Sequence, residues 1–246
     1  MYAQLYFDYN ATTPCAKEVV DAMLPYFHED FGNPSSSHHP YGWLAKSAVE
    51  DATEAIAKNL GVSPRDLVYT SGSTESINMI LKGICKKYRE KGNHIITTKV
   101  EHKAVLDTCA FLEEDGFEIT YLDVGSDGLI RIEDFKSALR PETILVSIMY
   151  TNNETGIIQP LDEIATSTHE NGSLLFSDTT QALGKMPLDS VFGLLDFACF
   201  SGHKVYGPKE IGLTYIKGNA NYDKLPSLIQ GGGQQKGHEG ALSIHL

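Results

Sequence analysis

A lysine directly follows a strongly apolar segment and stands beside residues that can bind a phosphate. The apolar run 194–200, typical of a buried strand in a parallel sheet, is followed by Ser201, Gly202, His203 and Lys204. Lysines of ordinary surfaces lie on helices and polar loops, where their stems are solvated. At a strand end, the amine of Lys204 can form a Schiff base with an aldehyde cofactor, while the hydroxyl and the imidazole bind its phosphate. The segment indicates a pyridoxal phosphate site, with a simple loop lysine as the alternative interpretation.

Two other strand ends offer groups that suit the same cofactor. Ser73 and Thr74 lie in the run 70–76, which follows one strand and opens a helix whose free N–H groups and dipole attract a phosphate. His102 follows the next strand, where an imidazole can stack on a flat ring or transfer protons near neutral pH. Taken alone, the first pattern is more typical of a plain helix N-cap, and one histidine among nine is usually structural.

The last two strand ends carry amides and a carboxylate. Asn152 and Asn153 follow a strand that ends near residue 148, and their amides suit a ring oxygen, although such a pair usually forms a turn. Asp178 ends a buried strand, where a carboxylate is costly unless it has a partner such as a pyridinium nitrogen; a helix N-cap is the alternative. Because one sheet can bring all five strand ends together, we interpret them as one site.

The composition is that of an ordinary globular protein. The sequence is 41% hydrophobic and 21% charged. Its 246 residues are enough for one large α/β domain or two small ones. A net charge of −12 argues against a nucleic-acid surface. There is no apolar segment of membrane-spanning length and no secretion signal at the N-terminus. The four cysteines are widely scattered, without metal or redox spacing. We expect a cytoplasmic protein without a metal site.

Strand-like and helix-like segments alternate along most of the chain, which predicts an α/β fold with a mostly parallel sheet and helices on both faces. Ligands of such sheets bind at the carboxyl ends of the strands. The segment before about residue 40 is expected to be rich in loops. The predicted strands cover residues 67–70, 94–98, 117–121, 143–148, 174–177 and 194–200, and the predicted helices cover about 45–60, 74–91, 104–114 and 132–139, with another opened by Pro160.

The chain resembles the cysteine desulfurases of the NifS/IscS type, within the class V aminotransferase family of fold-type I pyridoxal phosphate enzymes. The resemblance implies that residues 1–14 lie near the active site, that residues 15–246 form a cofactor-binding large domain with a seven-stranded sheet, and that the smaller C-terminal domain is absent. It rests on the motifs at residues 6–14, 31–35, 70–76, 101–106, 152–154, 178–181, 201–208 and 231–233.

The resemblance also implies a role for each matching residue. Lys204 forms the Schiff base, Asp178 pairs with the pyridine nitrogen, and His102 stacks on the ring and moves protons. Gln181 binds the ring hydroxyl oxygen, with Asn153 close by. The implied partners are L-cysteine, a second copy of the chain in a homodimer, and a scaffold protein that accepts sulfur. The phosphate would be held by Ser73, Thr74, Ser201 and His203, and the substrate pocket would be bordered by Ala11 and Thr12.

The chain departs from the family pattern near its end. Family members continue past the Gly231–Gly233 turn into a part that carries a persulfide-forming cysteine and a substrate-binding arginine. Glu239 and Ala241 stand where the family has an arginine and a phosphate-binding threonine, so weaker cofactor binding is expected. Three interpretations stay open: a cysteine desulfurase, another class V enzyme such as a selenocysteine lyase or an aminotransferase, and a truncated homologue that binds cofactor without turnover.

Overall fold

The computed structural model describes residues 5–188, 190–218 and 225–231. Seven strands form one sheet in the order β1-β7-β6-β5-β4-β2-β3. All neighbouring pairs from β6 to β3 are parallel, whereas β7 runs antiparallel to both β6 and β1. The predicted α/β fold with a mostly parallel sheet is confirmed. The strands are β1 (Leu67–Thr70), β2 (His94–Thr98), β3 (Glu118–Leu122), β4 (Thr143–Ser147), β5 (Leu174–Asp178), β6 (Phe197–Ser201) and β7 (Gly212–Ile216).

Helices connect most of these strands. The longest begins with Pro40 at its first turn, where His39 caps it, and ends at Gly61 in the left-handed conformation with φ 67°. Two short 3₁₀ turns, Pro64–Asp66 and Gly202–Lys204, precede β1 and follow β6. The α-helices are α1 (Lys17–His28), α2 (Pro40–Leu60), α3 (Ser73–Tyr88), α4 (Lys103–Glu114), α5 (Ile132–Ala138) and α6 (Leu161–Glu170).

Two apolar cores lie on opposite faces of the sheet. Along β6, Phe197 and Cys199 belong to one core, and Ala198 and Phe200 belong to the other. Residues of α3 and α4 pack in the first core, while residues of α2, α5 and α6 pack in the second. Because both faces of each central strand are buried, these strands are almost continuously apolar. The sheet therefore holds its strand ends in fixed positions.

Two elements differ from the expectation. Residues 17–28 form α1 within the segment predicted to be loop-rich. This helix contains Pro25, a residue that is unfavourable in a helix interior, and none of its residues is buried. The predicted strands also do not include β7, a five-residue strand that begins with a glycine and pairs with β1 and β6. Within the described ranges, no helix is both long and apolar enough to cross a bilayer.

Candidate functional site

A cavity of about 460 Å³ opens at the carboxyl ends of β2, β4, β5 and β6. Parallel strands bring these ends to one edge of the sheet, so residues far apart in sequence meet there. Seven of the predicted site residues line the cavity, namely Ala11, Ser73, His102, Asn153, Asp178, Gln181 and Lys204. The other lining residues are Asp8, Asn10, Met149, Thr151, Glu154 and Thr180.

Lys204 is half-buried at the end of the 3₁₀ turn after β6. Its Nζ donates hydrogen bonds to the backbone oxygens of Asn10 and Ala11, both at 2.7 Å. Burial lowers the pKa of its ammonium, the charge of Lys185 lowers this pKa further, and the carboxylates of Asp178 and Asp8 oppose both effects. The amine is therefore held at the cavity wall and releases its proton more readily than a surface lysine.

Asp178 ends β5 and is 6% exposed. Its Oδ1 accepts a hydrogen bond from the backbone N–H of Thr180 at 2.9 Å. Cys199 is its register partner on β6, and burial followed by the charge of Asp178 raises the pKa of that thiol well above its ordinary value. The site therefore has a buried carboxylate at one wall, where a cationic ring nitrogen would be a favourable partner.

The N-terminal segment crosses the cavity through Asn10. Gln181 donates from Nε2 to the backbone oxygen of Asn10 at 3.0 Å, and Asn10 donates from Nδ2 to the backbone oxygen of Asn153 at 3.3 Å. The sequence pattern at residues 6–14 indicates no role for Asn10. Only the fold places it against residues more than 140 positions away.

His102 caps α4, and its Nδ1 accepts a hydrogen bond from the backbone N–H of Ala104 at 3.1 Å. In the neutral ring the proton therefore lies on Nε2. Glu101 next to it is buried, and its Oε1 accepts hydrogen bonds from Thr98 Oγ1 at 2.9 Å and from the backbone N–H of Met149 at 2.8 Å. Burial raises the pKa of Glu101 to about 8. Glu101 is not among the predicted site residues, although it directly precedes the candidate site residue His102.

The start of α3 is the candidate phosphate end of the site. Its N-cap residue is Gly72, which has no side chain to occupy the first amides, and Ser73 lines the cavity. A Cβ on Gly212 of β7 would lie 2.4 Å from the Gly72 Cα, so only glycine permits this close contact. A Cβ on Gly72 would lie 3.7 Å from Ser201 Oγ, which places that hydroxyl beside the turn.

Four predicted site residues, Thr12, Thr74, Ser201 and His203, do not line the cavity. The Nδ1 of His203 shares a hydrogen bond with Thr12 Oγ1 at 3.0 Å. The backbone oxygen of His203 accepts from the Thr13 N–H at 2.8 Å and from its hydroxyl at 3.0 Å. Thr12 and His203 thus join the N-terminal segment to the lysine turn. The predicted departures at Glu239 and Ala241 lie outside the described residues.

The model of the class V aminotransferases matches residues 5–240. The chain belongs to this family. Among curated class V relatives, it is 47% identical to the cysteine desulfurase IscS of Rickettsia rickettsii (strain Iowa) over 233 residues, which are 95% of this chain and 57% of that protein. It is 46% identical to IscS of Anaeromyxobacter sp. (strain Fw109-5) over 245 residues, covering 99% of this chain and 60% of the relative. The chain thus spans less than two thirds of the length of these relatives.

Solved structures of the family show the same fold. A NifS-like protein superimposes with a TM-score of 0.92 at 40% identity, covering 98% of this chain and 66% of that one. The structure of SspA in complex with cysteine gives a TM-score of 0.93 at 40% identity, covering 98% and 70%. The resemblance to cysteine desulfurases that the motifs indicate is confirmed.

Proposed function

We propose that this chain forms the cofactor-binding part of a pyridoxal-phosphate-dependent cysteine desulfurase, which converts L-cysteine to L-alanine and passes the sulfur to a protein thiol. One observation carries the proposal: the amine of Lys204 and the buried carboxylate of Asp178 line the same cavity. That pair is what an aldehyde cofactor with a basic ring nitrogen requires. The similarity to cysteine desulfurases named IscS supports cysteine as the substrate.

The donor set of the cavity fits pyridoxal phosphate. Lys204 would hold the aldehyde carbon, Asp178 the ring nitrogen, and the Nε2 of Gln181 the ring hydroxyl oxygen. The open N-terminus of α3 at Ser73 suits the phosphate. Thr74 follows Ser73 on α3 and Ser201 Oγ lies beside the Gly72 turn, so we expect both, with His203, to contribute to phosphate binding although none of the three lines the cavity. The volume of about 460 Å³ lies within the range of cofactor and ligand sites. When bound, the cofactor supplies an electron sink for bonds at the substrate α-carbon.

The residues of the chain have separable tasks in this proposal. Lys204, with its lowered pKa, supplies a neutral amine near physiological pH more readily than an exposed lysine. Asp178 would pair with the ring nitrogen at the cavity wall. His102 presents Nε2 for proton transfer because Nδ1 is engaged with the α4 backbone. Ala11 and Thr12 belong to the segment that would border the substrate.

A second candidate function is cofactor binding without turnover by this chain alone. None of the four cysteines of the sequence lines the cavity. Cys85, Cys109 and Cys199 are buried, and burial raises the pKa of the first two thiols to about 12. Thiols in that state are poor nucleophiles. The sulfur acceptor therefore has to be a thiol other than these three. A selenocysteine lyase or an aminotransferase would need the same cofactor residues.

We also propose that the chain forms a cytoplasmic homodimer, which supplies sulfur for iron–sulfur or thio-cofactor assembly through a scaffold protein. Residues 1–14 would act as an active-site segment, and residues 15–246 as the large domain.

The proposal is tested first by the absorbance of the bound cofactor and then by the turnover of cysteine. Purified protein mixed with pyridoxal phosphate should gain an absorbance band near the visible edge that borohydride bleaches, and Lys204→Ala should abolish the band. A wild-type protein that stays colourless, or an unchanged band in Lys204→Ala, would count against the site. Sulfide and alanine formed from cysteine in the presence of a reductant would support the desulfurase. A coloured protein without turnover would support the binding-only candidate.

A further inference from the structure

Lys185 contacts two residues of the cavity wall without lining the cavity itself. It follows Gln181 by four residues, in the turns after β5. Its Nζ donates a hydrogen bond to Gln181 Oε1 at 2.6 Å and another to Asn10 Oδ1 at 3.3 Å. Both acceptors belong to residues that line the cavity. Lys185 therefore holds two residues of the cavity wall by hydrogen bonds from outside the cavity.

The contact with Lys185 decides which end of the Gln181 amide faces the site. A glutamine amide has an acceptor oxygen and a donor NH₂ group, and the two orientations have nearly the same shape. A lysine ammonium has donors only, so it can bind only the oxygen. With the oxygen engaged by Lys185, the NH₂ group is left to donate to the backbone oxygen of Asn10 at 3.0 Å. A ligand oxygen beside Gln181 therefore meets a donor.

Asn10 connects this arrangement to the reactive amine. Its backbone oxygen accepts from both Gln181 Nε2 and Lys204 Nζ. Its side chain is fixed at both ends, because Oδ1 accepts from Lys185 and Nδ2 donates to the backbone oxygen of Asn153. Loss of the Lys185 ammonium would remove the hydrogen bonds to Asn10 Oδ1 and to Gln181 Oε1 together.

The charge of Lys185 acts in addition to its hydrogen bonds. After burial, it is the largest influence that lowers the pKa of Lys204, against the carboxylates of Asp178 and Asp8. Burial, followed by the charge of Lys204, lowers the pKa of His203, the residue that precedes Lys204. Without the charge of Lys185, the carboxylates of Asp178 and Asp8 would raise the pKa of Lys204 against less opposition.

We propose that Lys185 is a positioning residue of this site, which orients the Gln181 amide and the Asn10 turn and sets the reactivity of Lys204. The part that concerns cofactor binding rests on the proposed function. The part that concerns Lys204 does not, because the hydrogen bonds and the charge act on the free amine.

The experiment compares Lys185→Met, Lys185→Arg and Lys217→Met with the wild type. Lys217 is the control lysine, because its Nζ also donates a hydrogen bond within the chain, to the backbone oxygen of Gly193. It follows the end of β7, which is antiparallel to β6, and therefore lies at the end of the sheet opposite the cavity. Cofactor-free protein is labelled with trinitrobenzenesulfonate over a pH series, and mass spectrometry of the Lys204 peptide gives the pH midpoint of labelling. The dissociation constant for pyridoxal phosphate is measured separately, and circular dichroism verifies folding.

Lys185→Met should raise the Lys204 midpoint by on the order of half a pH unit and weaken cofactor binding about three- to tenfold. Lys185→Arg keeps the charge and the donors and should restore both values, and Lys217→Met should change neither. An unchanged Lys204 midpoint in Lys185→Met, or an equal shift in Lys217→Met, would overturn the proposal. If the wild type binds no pyridoxal phosphate but the midpoint still shifts, the positioning role stands and the proposed function fails.

Discussion

Glu101 accepts a hydrogen bond from the backbone N–H of Met149 at 2.8 Å, and this bond joins the chain after β2 to the chain after β4. A second bond runs in the opposite direction, from Asn152 Nδ2 to the backbone oxygen of Val100 at 2.9 Å. Glu101 and Asn152 are both buried, and each directly precedes a cavity residue, His102 or Asn153. The relative position of these two cavity residues is therefore fixed by a pair that does not line the cavity.

Glu101→Gln should change how stability depends on pH. Burial raises the pKa of Glu101 from its ordinary value of 4.5 to about 8, so the folded state favours the protonated carboxyl. This contribution is fully present below pH 4.5 and is lost as the pH rises through about 8. The substituted glutamine cannot ionise, and its oxygen can keep both hydrogen bonds of Oε1. Denaturant unfolding should show the variant gaining stability relative to the wild type between about pH 5 and pH 9.

Glu133→Gln is the control for this measurement, because Glu133 is exposed on α5. Its difference from the wild type should stay flat over the same range. A flat difference for Glu101→Gln as well would show that Glu101 ionises freely in the folded protein.

Asn152→Asp and Asn152→Ala separate the two tasks of this side chain. Oδ1 of Asn152 accepts from the backbone N–H groups of Glu154 and Thr155, each at 2.9 Å, while Nδ2 donates to Val100. Aspartate keeps the acceptor but loses the donor, whereas alanine loses both. We expect alanine to reduce the free energy of unfolding by about 1–3 kcal/mol and aspartate to lose the bond to Val100. Both variants should bind pyridoxal phosphate more weakly; aspartate binding as tightly as the wild type would refute the tie between the two loops.

Gly212→Ala should disturb the turn that precedes α3. The added Cβ would lie 2.4 Å from the Gly72 Cα, so either β7 or the Gly72 turn must shift. We expect a loss of about 1–3 kcal/mol in the free energy of unfolding, together with weaker binding of inorganic phosphate by the protein. Gly193→Ala is the matched control, since its Cβ would meet only an oxygen at 3.7 Å. Equal effects of the two substitutions would contradict the close contact.

His94 should make the fold sensitive to acid. Its ring nitrogens share hydrogen bonds with Thr143 Oγ1 at 2.7 Å and Thr120 Oγ1 at 2.9 Å, joining β2 to both neighbouring strands. Burial, and then the charge of Arg140, lower the pKa of His94 from 6.5 to about 4. The folded state therefore favours the neutral ring, and stability present above pH 6.5 is lost as the pH falls through about 4.

His94→Gln has no proton to gain, so its free energy of unfolding should fall less than that of the wild type between about pH 7 and pH 4.5. The comparison is made by thermal or urea unfolding, with His28→Gln at the exposed end of α1 as the control. If His94→Gln and the wild type lose stability in parallel, acid sensitivity arises elsewhere.

Local patterns in the sequence determined six of the seven strands of the sheet, most helices and the polar groups at the strand ends. Buried strands are continuously apolar, and a polar residue after such a run is conspicuous, as at Asp178 and Lys204. Helix α1 was missed because it contains Pro25, which disfavours a helix interior, within a segment rich in loop-forming residues. Strand β7 was missed because no α-helix separates it from β6, so it departs from the strand–helix alternation on which the other strands were predicted.

Only the tertiary structure decided which of these groups meet, and through which intermediates. Asn10 and Gln181 are 171 residues apart in sequence, and Asn10 and Lys204 are 194 apart. No local pattern encodes such pairings, because they depend on the strand order and on where the N-terminal segment crosses the sheet edge. The supporting roles of Glu101 and Lys185 could not be predicted from the sequence for the same reason. The sequence determined which chemical groups are present, and the packing of the sheet decided that they face one cavity.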